Sequence, residues 1–355
     1  MVRVSAGARL HFGFCNLSLS HERLYGALGL ALAEPVVSVT ATPAETVTVD
    51  VDDDAVRETR ATRGTTTDAI REDVRRYAVA AADRLGVSGA SVTVTSSLPR
   101  HAGLGSGTQL AATTLAAVAG AHDTPPRVRE HAPALGRGGR SGVGVAAFES
   151  GGFVLDAGHP TARFTTDRPA DGEWTVPPVS ARHPVPEDWR FLLVRPDAEP
   201  GRDGDDEDAS MRAAVERADP GVADRIAGIV TRRVLPAIAT GRAEAFGTAV
   251  AAVGRLNGSW YADEQGGVYR PPVGDIVASL SASPAVFGAG QSSWGPTVYG
   301  VTDADRAEAA AEAGNRALDE AGVGGMVSVV RATNEGAQVV DDSAPVRSET
   351  DEGQH

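Results

Sequence analysis

The chain has 355 residues, a hydrophobic content of 42% and a formal net charge of −14. This length predicts two domains, because a single hydrophobic core stops growing at about 250–300 residues, and the negative charge argues against nonspecific binding to nucleic acid, which depends on cations. The single cysteine, Cys15, excludes an intrachain disulfide, and no apolar run approaches the roughly 20 residues of a membrane helix, so we expect a soluble cytoplasmic protein.

All 33 basic residues are arginine, and the chain contains no lysine. Catalysis through a lysine Schiff base and phosphate binding by a Walker-type lysine are therefore excluded. Any cation that holds a phosphate must be a metal or an arginine, whose planar guanidinium suits that task. The absence of lysine, together with carboxylates spread along the whole chain, is typical of a salt-adapted protein, and we expect a halophilic source.

The first half of the chain predicts an α/β domain. Residues 36–42 and 46–51 alternate apolar and polar side chains, which predicts a hairpin of two half-buried strands. A helical pattern follows over residues 67–85. The next elements are a strand over residues 91–97 and a helix over residues 110–121.

A glycine-rich turn joins this strand to this helix. Its glycines allow backbone N–H groups to point toward one centre, and the unpaired amides and positive dipole of the helix N-terminus favour a phosphate there. We interpret the turn as a phosphate-binding loop; the alternative is a turn in which Ser or Thr caps the helix. The residues of the loop are Gly103, Leu104, Gly105, Ser106, Gly107, Thr108 and Gln109.

A second glycine-rich stretch occupies residues 136–142. It follows a short predicted helix that ends near Leu135, and it leads through an apolar run into a strand over residues 152–155. Residues 161–188 show no sustained period and predict a connection that contains irregular strands. We therefore place the first domain at residues 1–160.

The second half predicts an α+β domain over residues 161–340. The acidic residues at 196–210 are interpreted as a solvated surface loop, with a mobile lid as the alternative. Residues 341–355 lack apolar content, which predicts a disordered tail. The predicted strands are residues 191–194, 297–301 and 326–330, and the predicted helices are residues 221–240, 242–256, 273–283 and 304–321.

Three glycine-rich segments, at residues 7–13, 103–109 and 288–300, together resemble the GHMP kinase superfamily. The central motif of that superfamily is a proline followed by Gly-Leu-Gly-Ser, here Pro99 and residues 103–106, and its closing motif begins with Gly-Ala-Gly, as residues 288–290 do here. The resemblance implies a two-domain α+β fold with an N-terminal α/β domain and a ferredoxin-like C-terminal domain. It also implies a phosphate-binding site between the two domains.

The departures from the kinases concern the catalytic base. Phosphoryl transfer to a hydroxyl commonly uses an aspartate to take the proton, and in many GHMP kinases that aspartate follows a Ser-Gly-x segment. Here residues 141–143 are Ser-Gly-Val, and the next residue is Gly144; the usual Glu-His pair of the first motif is replaced by Phe14 and Cys15. An ATP-dependent kinase therefore stays as the second interpretation, and a catalytically silent ligand-binding protein as the third.

These departures match a non-kinase branch, the β-ribofuranosylaminobenzene 5′-phosphate synthase family, which the chain resembles from residue 9 to residue 300. The resemblance implies a transferase that joins phosphoribosyl pyrophosphate to 4-aminobenzoate or 4-hydroxybenzoate, with release of pyrophosphate and CO₂, as an early step of methanopterin biosynthesis. It also implies a homodimer and an archaeal source, and Mg²⁺ is expected because pyrophosphate would provide much of its coordination. The net charge and the lack of a membrane-length apolar run predict no nucleic-acid or membrane partner. The similar segments are residues 9–13, 103–109, 138–144, 265–267 with Tyr269, and 290–296.

The implied reaction gives roles to individual residues. The 103–109 loop binds the leaving pyrophosphate, and Ser106 and Thr108 offer hydroxyls to a metal. We predict catalytic roles for Arg140, Ser141 and His11; the alternatives are a surface ion pair for Arg140 and a buried, hydrogen-bonded strand histidine for His11. The other predicted substrate contacts are Arg9, Gln265, Gln291, Ser292 and Trp294, and weaker candidates are Arg23, Arg137 and Asp156.

Two of these residues have explicit structural alternatives. Trp294 either stacks on the aromatic substrate or packs at the junction of the domains. Asp156 either binds ribose hydroxyls or a metal, or forms a turn after a strand, and the turn is the interpretation that we favour.

Overall fold

The structure is a computed structural model that describes residues 1–56, 66–163, 174–199 and 204–341. Its strands are β1 (Val2–Asn16), β2 (Arg23–Pro43), β3 (Thr48–Val51), β4 (Ala90–Ser96), β5 (Phe153–Asp156), β6 (His159–Pro160), β7 (Val179–His183), β8 (Trp189–Pro196), β9 (Gly288–Gln291), β10 (Val298–Asp303), β11 (Gly325–Val330) and β12 (Gln338–Asp341). Its α-helices are α1 (Thr67–Leu85), α2 (Ser106–Ala121), α3 (Val128–His131), α4 (Val143–Ser150), α5 (Gly204–Arg217), α6 (Pro220–Ile229), α7 (Leu235–Ala239), α8 (Ala243–Trp260), α9 (Ala262–Gln265), α10 (Val273–Ser281) and α11 (Ala307–Glu320). A π-helical turn, Val230–Val234, joins α6 to α7.

The larger sheet has the strand order β12-β1-β2-β4-β3, and β5 pairs with both β2 and β7. Helix α2 packs against β1 and β2, and every residue of α2 from Gln109 to Ala119 is buried. The small side chains of α2, such as Ala111 and Ala117, let the helix lie close to the sheet. This packing fixes the start of α2, and with it the glycine loop, against the centre of the sheet.

The predicted hairpin of residues 36–42 and 46–51 is wrong in its pairing. Both segments are strands, the first within β2 and the second as β3, but β4 lies between them, antiparallel to β2 and parallel to β3. The reason is the connection between β3 and β4. Helix α1, confirmed at Thr67–Leu85, carries the chain from the end of β3 back to the start of β4, and such a crossover lets consecutive strands pair in parallel.

The smaller sheet has the antiparallel order β11-β8-β10-β9. Helices α10 and α11 pack together and against this sheet, around a core that includes Leu192, Ile276 and Leu280. The element order of strand, helices, two strands, helix and strand is the ferredoxin-like arrangement. The expected fold of the second half is thus confirmed.

The acidic stretch predicted as a loop over residues 196–210 is helical from Gly204, where α5 begins. Met211, Ala214 and Val215 are buried, at the i, i+3, i+4 spacing of an apolar helix face. The helix extends from this face back into the acidic residues, so the loop prediction is wrong from residue 204 onward. Residues 200–203 lie outside the described chain.

The larger sheet takes strands from both sides of residue 160. Strand β7 pairs with β5, and strand β12 pairs with β1 at the outer edge. The predicted domain boundaries stay a prediction, and residues 342–355 of the predicted tail lie outside the described chain. Within the described residues, no helix is both long enough and apolar enough to cross a membrane.

Candidate functional site

Strand β1 runs through the centre of the candidate site. Side chains alternate between the two faces of a strand, so Arg9 and His11 lie on the same face, about 7 Å apart along the strand. A β-bulge separates His11 from Gly13, whose φ is +141°. One strand therefore connects the glycine loop, which contacts Arg9, to a cleft that His11 lines.

The glycine loop has the backbone geometry of an anion site. Gly103 and Gly105 have φ values of +90° and +83°, which glycine adopts at little cost, and α2 begins at the next residue, Ser106. Arg9 lies over this turn: its Nη1 donates to the carbonyl of Gly103 at 2.5 Å, and a Cβ on Gly105 would come within 2.8 Å of its Cγ. The turn, the helix N-terminus and a guanidinium therefore lie together.

A second guanidinium reaches the same loop from the other glycine-rich stretch. A Cβ on Gly107 would lie 2.8 Å from Nη1 of Arg137, and the Arg137 guanidinium packs 5.4 Å from the centre of the Tyr77 ring and donates to its hydroxyl. Arg137, a weaker candidate from the sequence, thus lies directly against the loop. Two arginines beside a helix N-terminus favour a multiply charged anion.

The third glycine-rich segment closes the site against β1. The Ser292 hydroxyl donates to the Gly103 carbonyl at 2.7 Å and accepts from the His11 amide at 3.1 Å. Gly295 packs against the backbone of Ala102 so tightly that a side chain there has no room. The structure therefore brings together the three segments that the sequence singled out, and the buried Ser292 hydroxyl joins two of them.

Gly144 follows the Ser-Gly-Val segment at which the sequence resemblance placed the kinase aspartate, and Thr108 lies next to it. A Cβ on Gly144 would come within 2.9 Å of Thr108 Cγ2, which is closer than real Cβ contacts. The carbonyl of Gly144 accepts from Gln109 Nε2 at 2.9 Å, and the Gln109 side chain is fully buried. Gln109 and Thr108 thus hold the loop against α4, and the Thr108 side chain occupies the space into which a side chain at residue 144 would extend.

Asp156 ties the stretch around Ser141 to the end of β5. Its carboxylate accepts the amides of Gly142 at 2.7 Å and Gly158 at 2.9 Å, and Ser141 Oγ lies 3.4 Å away. Burial raises the pKa of Asp156 to about 6, and these hydrogen bonds oppose the rise. The turn-forming interpretation of Asp156 agrees with this geometry, because its oxygens already hold backbone donors.

Arg140 makes a half-buried ion pair with Asp208 of α5. It also donates to the hydroxyl of Tyr25, whose pKa is raised mainly by burial. Tyr25 adopts a φ of +67°, a conformation that is uncommon for a tyrosine, and its ring lies 5.6 Å from that of Phe14. The ion pair that we gave as the alternative for Arg140 is present, and a catalytic role of Arg140 stays a prediction.

Beyond His11, a cleft with about 460 Å³ of empty space opens between β1 and α8. This space is partly open to solvent. Four residues predicted from the sequence line it together: His11, Gln265, Gln291 and Trp294. The other lining residues are Phe12, Gly13, Phe14, Gly254, Asn257, Gly258, Tyr261, Val268, Tyr269 and Ser293.

Two buried polar atoms at this cleft, His11 Nδ1 and Gln291 Oε1, have no hydrogen-bond partner in the described protein. Burial, followed by the charge of Arg9, lowers the pKa of His11 to about 3, so the ring is neutral at physiological pH. Trp294 packs edge-on against Tyr261 with the ring centres 4.5 Å apart. The cleft is therefore aromatic and uncharged, with two polar atoms that the protein leaves unpaired.

Asn257 is a site residue that sequence reasoning missed. Its Oδ1 accepts the Phe14 amide at 2.7 Å, and its Nδ2 donates to the Phe14 carbonyl at 2.9 Å. Gly13 must lack a side chain here, because a Cβ would lie 2.6 Å from the Asn257 amide carbon. The signal was a polar residue on the apolar face of α8, in step with Val250 and Val253.

The remaining predicted residues are placed as follows. The Leu104 side chain is fully buried, so only its backbone faces the site. Gln265 Nε2 donates to the Val268 carbonyl at 2.8 Å. Arg23 donates to the carbonyls of Ala157 and Gly158, in the turn that follows β5.

A metal would find few protein ligands here. Across the described ranges, no group of three or more His, Cys, Asp or Glu side chains could hold a metal ion. The donors at the glycine loop are the hydroxyls of Ser106 and Thr108, beside the guanidiniums of Arg9 and Arg137. This set fits Mg²⁺ that is bound mainly by phosphate oxygens, and it does not fit a metal held by protein alone.

Comparison with known proteins gives two family matches. Residues 73–152 match the GHMP kinases N terminal domain, and residues 234–320 match the GHMP kinases C terminal domain. Among solved structures, the chain is similar to homoserine kinase from Cytophaga hutchinsonii, with a TM-score of 0.61, 17% identity and coverage of 96% and 97% of the two chains. It is also similar to Methanococcus jannaschii mevalonate kinase, with a TM-score of 0.62, 13% identity and coverage of 94% and 98%.

Curated relatives are closer in sequence. The chain is 34% identical over 308 residues to beta-ribofuranosylphenol 5′-phosphate synthase of Methanothermobacter thermautotrophicus, which covers 84% of this chain and 88% of that protein. It is 30% identical to the protein of the same name from Archaeoglobus fulgidus, with coverage of 86% and 89%. The corresponding protein of Methanocaldococcus jannaschii is 26% identical, with coverage of 95% and 99%.

Proposed function

We propose that this chain, which its relatives show to belong to the β-ribofuranosylphenol 5′-phosphate synthase family within the GHMP kinase superfamily, catalyses the transfer of a phosphoribosyl group to an aromatic acid. The donor is phosphoribosyl pyrophosphate, and the acceptor is 4-hydroxybenzoate or 4-aminobenzoate. The products are a C-riboside 5′-phosphate, pyrophosphate and CO₂. The names of the relatives, which specify a ribofuranosylphenol, support a phenolic acceptor.

The glycine loop serves the leaving group in this proposal. When the bond between ribose C1 and pyrophosphate breaks, negative charge grows on the pyrophosphate, and the N-terminal amides of α2 with Arg9 and Arg137 stabilise it. Mg²⁺ bound to the pyrophosphate would neutralise part of the same charge, with Ser106 and Thr108 as the protein hydroxyls nearest to hold it.

The acceptor reacts through the ring carbon that bears its carboxylate. That carbon forms the new bond to ribose C1, and the bond to the carboxylate then breaks; its electron pair returns to the ring, and CO₂ leaves. No proton has to be removed from this carbon. The observation that carries the proposal is the contact between Gly144 and Thr108, because it leaves the phosphate-binding loop intact while filling the space that a kinase base needs.

A small-molecule ATP kinase is the second candidate, since the similar solved structures include homoserine and mevalonate kinases. That reaction forms ADP from ATP and an alcohol. A ligand-binding protein without turnover is the third candidate, and it would bind members of either substrate set without forming product.

One assay separates the three candidates. The protein is incubated with phosphoribosyl pyrophosphate, Mg²⁺ and each aromatic acid, at both low and molar KCl, and pyrophosphate, CO₂ and the riboside are measured by mass spectrometry. Riboside, pyrophosphate and CO₂ in equal amounts are expected. A parallel incubation with ATP and alcohols should form no ADP; ADP without riboside would support a kinase, and binding without any product would support the third candidate.

The wider setting is part of the same proposal. The product would enter methanopterin synthesis or a related pathway in the cytoplasm of an archaeal cell, and the active form would be a homodimer. Relatives from three archaea support this setting. Size-exclusion chromatography with light scattering tests the oligomeric state, and analysis of cell extracts for the riboside tests the pathway.

A further inference from the structure

Gln291 lies at the end of β9, with 9% of its surface exposed, and its side chain lines the cleft beyond His11. Its Nε2 donates to the Ser293 carbonyl at 3.3 Å, which fixes which way the amide points. Its Oε1 is buried and has no partner in the described protein. A buried amide oxygen without a hydrogen bond is costly, so this atom is placed to accept one from a ligand.

The character of the cleft determines which end of a benzoate enters it. The described residues that line it carry no formal charge, because His11 is neutral. A carboxylate buried there would lack a compensating charge, whereas Arg9, about 7 Å along β1, holds positive charge beside the phosphate loop. The ring therefore points its para substituent into the cleft and its carboxylate toward the loop, where ribose C1 is attacked.

We propose that Gln291 determines acceptor specificity by accepting a hydrogen bond from the para substituent of the acceptor, an inference that rests on the proposed function. The substrate class is then benzoates whose para group donates a hydrogen bond, such as a hydroxyl or a primary amine. The aromatic rings of Tyr261 and Trp294 contribute apolar contact to the same ring. A para methyl group has a similar size but leaves Gln291 Oε1 unpaired, and the site discriminates against it.

The test measures binding rather than turnover. The full chain is titrated calorimetrically with 4-hydroxybenzoate and with 4-methylbenzoate, in the presence of pyrophosphate and ribose 5-phosphate, which fill the donor side without reaction. The wild type should bind the hydroxy compound about tenfold more tightly, as expected for one hydrogen bond that a buried oxygen gains. In Gln291→Met, which keeps the length of the side chain but removes the amide oxygen, this ratio should fall to about one.

Gln265→Met is the matched control, because Gln265 lines the same cleft but donates to the Val268 carbonyl. Its tenfold ratio should persist, even where both affinities change. Undiminished binding of 4-methylbenzoate by Gln291→Met would show that this variant is folded. A ratio near one in the wild type, or a tenfold ratio that survives in Gln291→Met, would overturn the inference.

The proposed function is tested separately by the assay with phosphoribosyl pyrophosphate. If the titrations give the expected ratios but no riboside forms, the proposed function fails and the specificity of the cleft stands. If riboside forms with both hydroxy and amino acceptors while the ratio in Gln291→Met is unchanged, the function stands and the role of Gln291 is overturned.

Discussion

Gly144 and Thr108 share a space that only one side chain fills. A Cβ at residue 144 would meet Thr108 Cγ2 at 2.9 Å, and Gly144 lies in α4 without a positive φ. The constraint on residue 144 is therefore steric rather than conformational. It predicts that Gly144→Ala becomes more favourable once the Thr108 methyl is removed.

Gly144→Ala should destabilise the wild type by about 1 kcal/mol more than it destabilises Thr108→Ser. The reason is that Thr108→Ser removes the methyl group that the new Cβ would contact. Urea unfolding of the wild type, the two single variants and the double variant measures this coupling. Gly274→Ala is the control: Gly274 is also the second residue of its helix, and a Cβ there meets nothing closer than 3.8 Å. Its effect should be the same in both backgrounds, and equal coupling at the two glycines would contradict the steric argument.

His11 should make stability depend on pH in one direction. The pKa of His11 is about 3 in the folded protein, against 6.5 for a free histidine, so below pH 6.5 the unfolded chain takes up a proton that the folded protein does not. Stability is complete above pH 6.5 and falls as pH decreases toward 3. Between pH 7.5 and pH 5, this histidine should cost about 2 kcal/mol.

Unfolding of the wild type and His11→Gln at these two pH values measures that cost. The wild type should lose about 2 kcal/mol more than the variant on acidification. Comparison of the two proteins removes the contributions of other groups, including Asp156, whose raised pKa acts in the opposite direction. Equal losses in both proteins would show that His11 is protonated in the folded state.

At the scale of elements, α8 holds the end of β1 through Asn257. Its two hydrogen bonds to the Phe14 backbone join a helix that packs on the smaller sheet to a strand of the larger one. Asn257→Ala should lower the free energy of unfolding by about 1–3 kcal/mol, since it leaves buried backbone groups unpaired. It should also weaken binding of 4-hydroxybenzoate, because Phe14 lines the cleft.

Pyrophosphate binding distinguishes this local effect from general damage. The glycine loop contacts Arg9 rather than Phe14, so the affinity of Asn257→Ala for pyrophosphate should stay near the wild-type value. Asn315→Ala, which removes an exposed bond to Ala311 in α11, is the control, with an expected change within about 0.5 kcal/mol. Loss of both affinities in Asn257→Ala would show that the two ends of the site do not respond independently.

The elements that local patterns specify were predictable. Helix α1 has the predicted bounds because its apolar residues, such as Ile70 and Val74, recur at helical spacing, and Thr66 and Gly86 cap it. The pairing of β3 was not predictable, because its partner β4 follows a whole helix in the chain and no local sequence pattern specifies which strand β3 pairs with. Helix α5 was missed because its apolar face begins at Met211, after the acidic residues.

In the site, too, the parts that carry contiguous motifs were predictable, and the parts that depend on contacts between distant residues were not. The glycine loop and the segment at residues 288–300 carry contiguous motifs, and their meeting around β1 follows from a resemblance that spans both. Asn257 and Tyr261 belong to no motif, because each acts through contact with residues far away in the chain. The position of Arg137 against Gly107 could not be predicted for the same reason, since sequence spacing does not say which arginine faces that glycine.

For the whole molecule, the net charge of −14 predicts stabilisation by salt. Like charges repel in the compact state, and the screening length falls from about 10 Å at 0.1 M to about 3 Å at 1 M salt. Raising KCl from 0.1 M to 1 M should therefore raise the unfolding temperature by about 4 °C, which for a chain of this size corresponds to about 3 kcal/mol.

Differential scanning calorimetry over a KCl series measures this shift. Most of the gain should come below 1 M, where screening changes most, and an equal osmolality of sucrose should not reproduce the shape of the curve. An unfolding temperature that is independent of KCl, or that falls with it, would show that the carboxylates are too far apart to repel one another.

The pairing of β12 with β1 has a consequence for synthesis on the ribosome. Strand β1 is translated long before β12, which starts at Gln338 and covers the outer edge of β1 only along Val2–Ser5. Until then, the nascent chain carries a strand whose outer N–H and C=O groups are open to other chains. The start of β1, on the N-terminal side of Arg9 and His11, therefore gains its second neighbour only after the other strands of the larger sheet have been made.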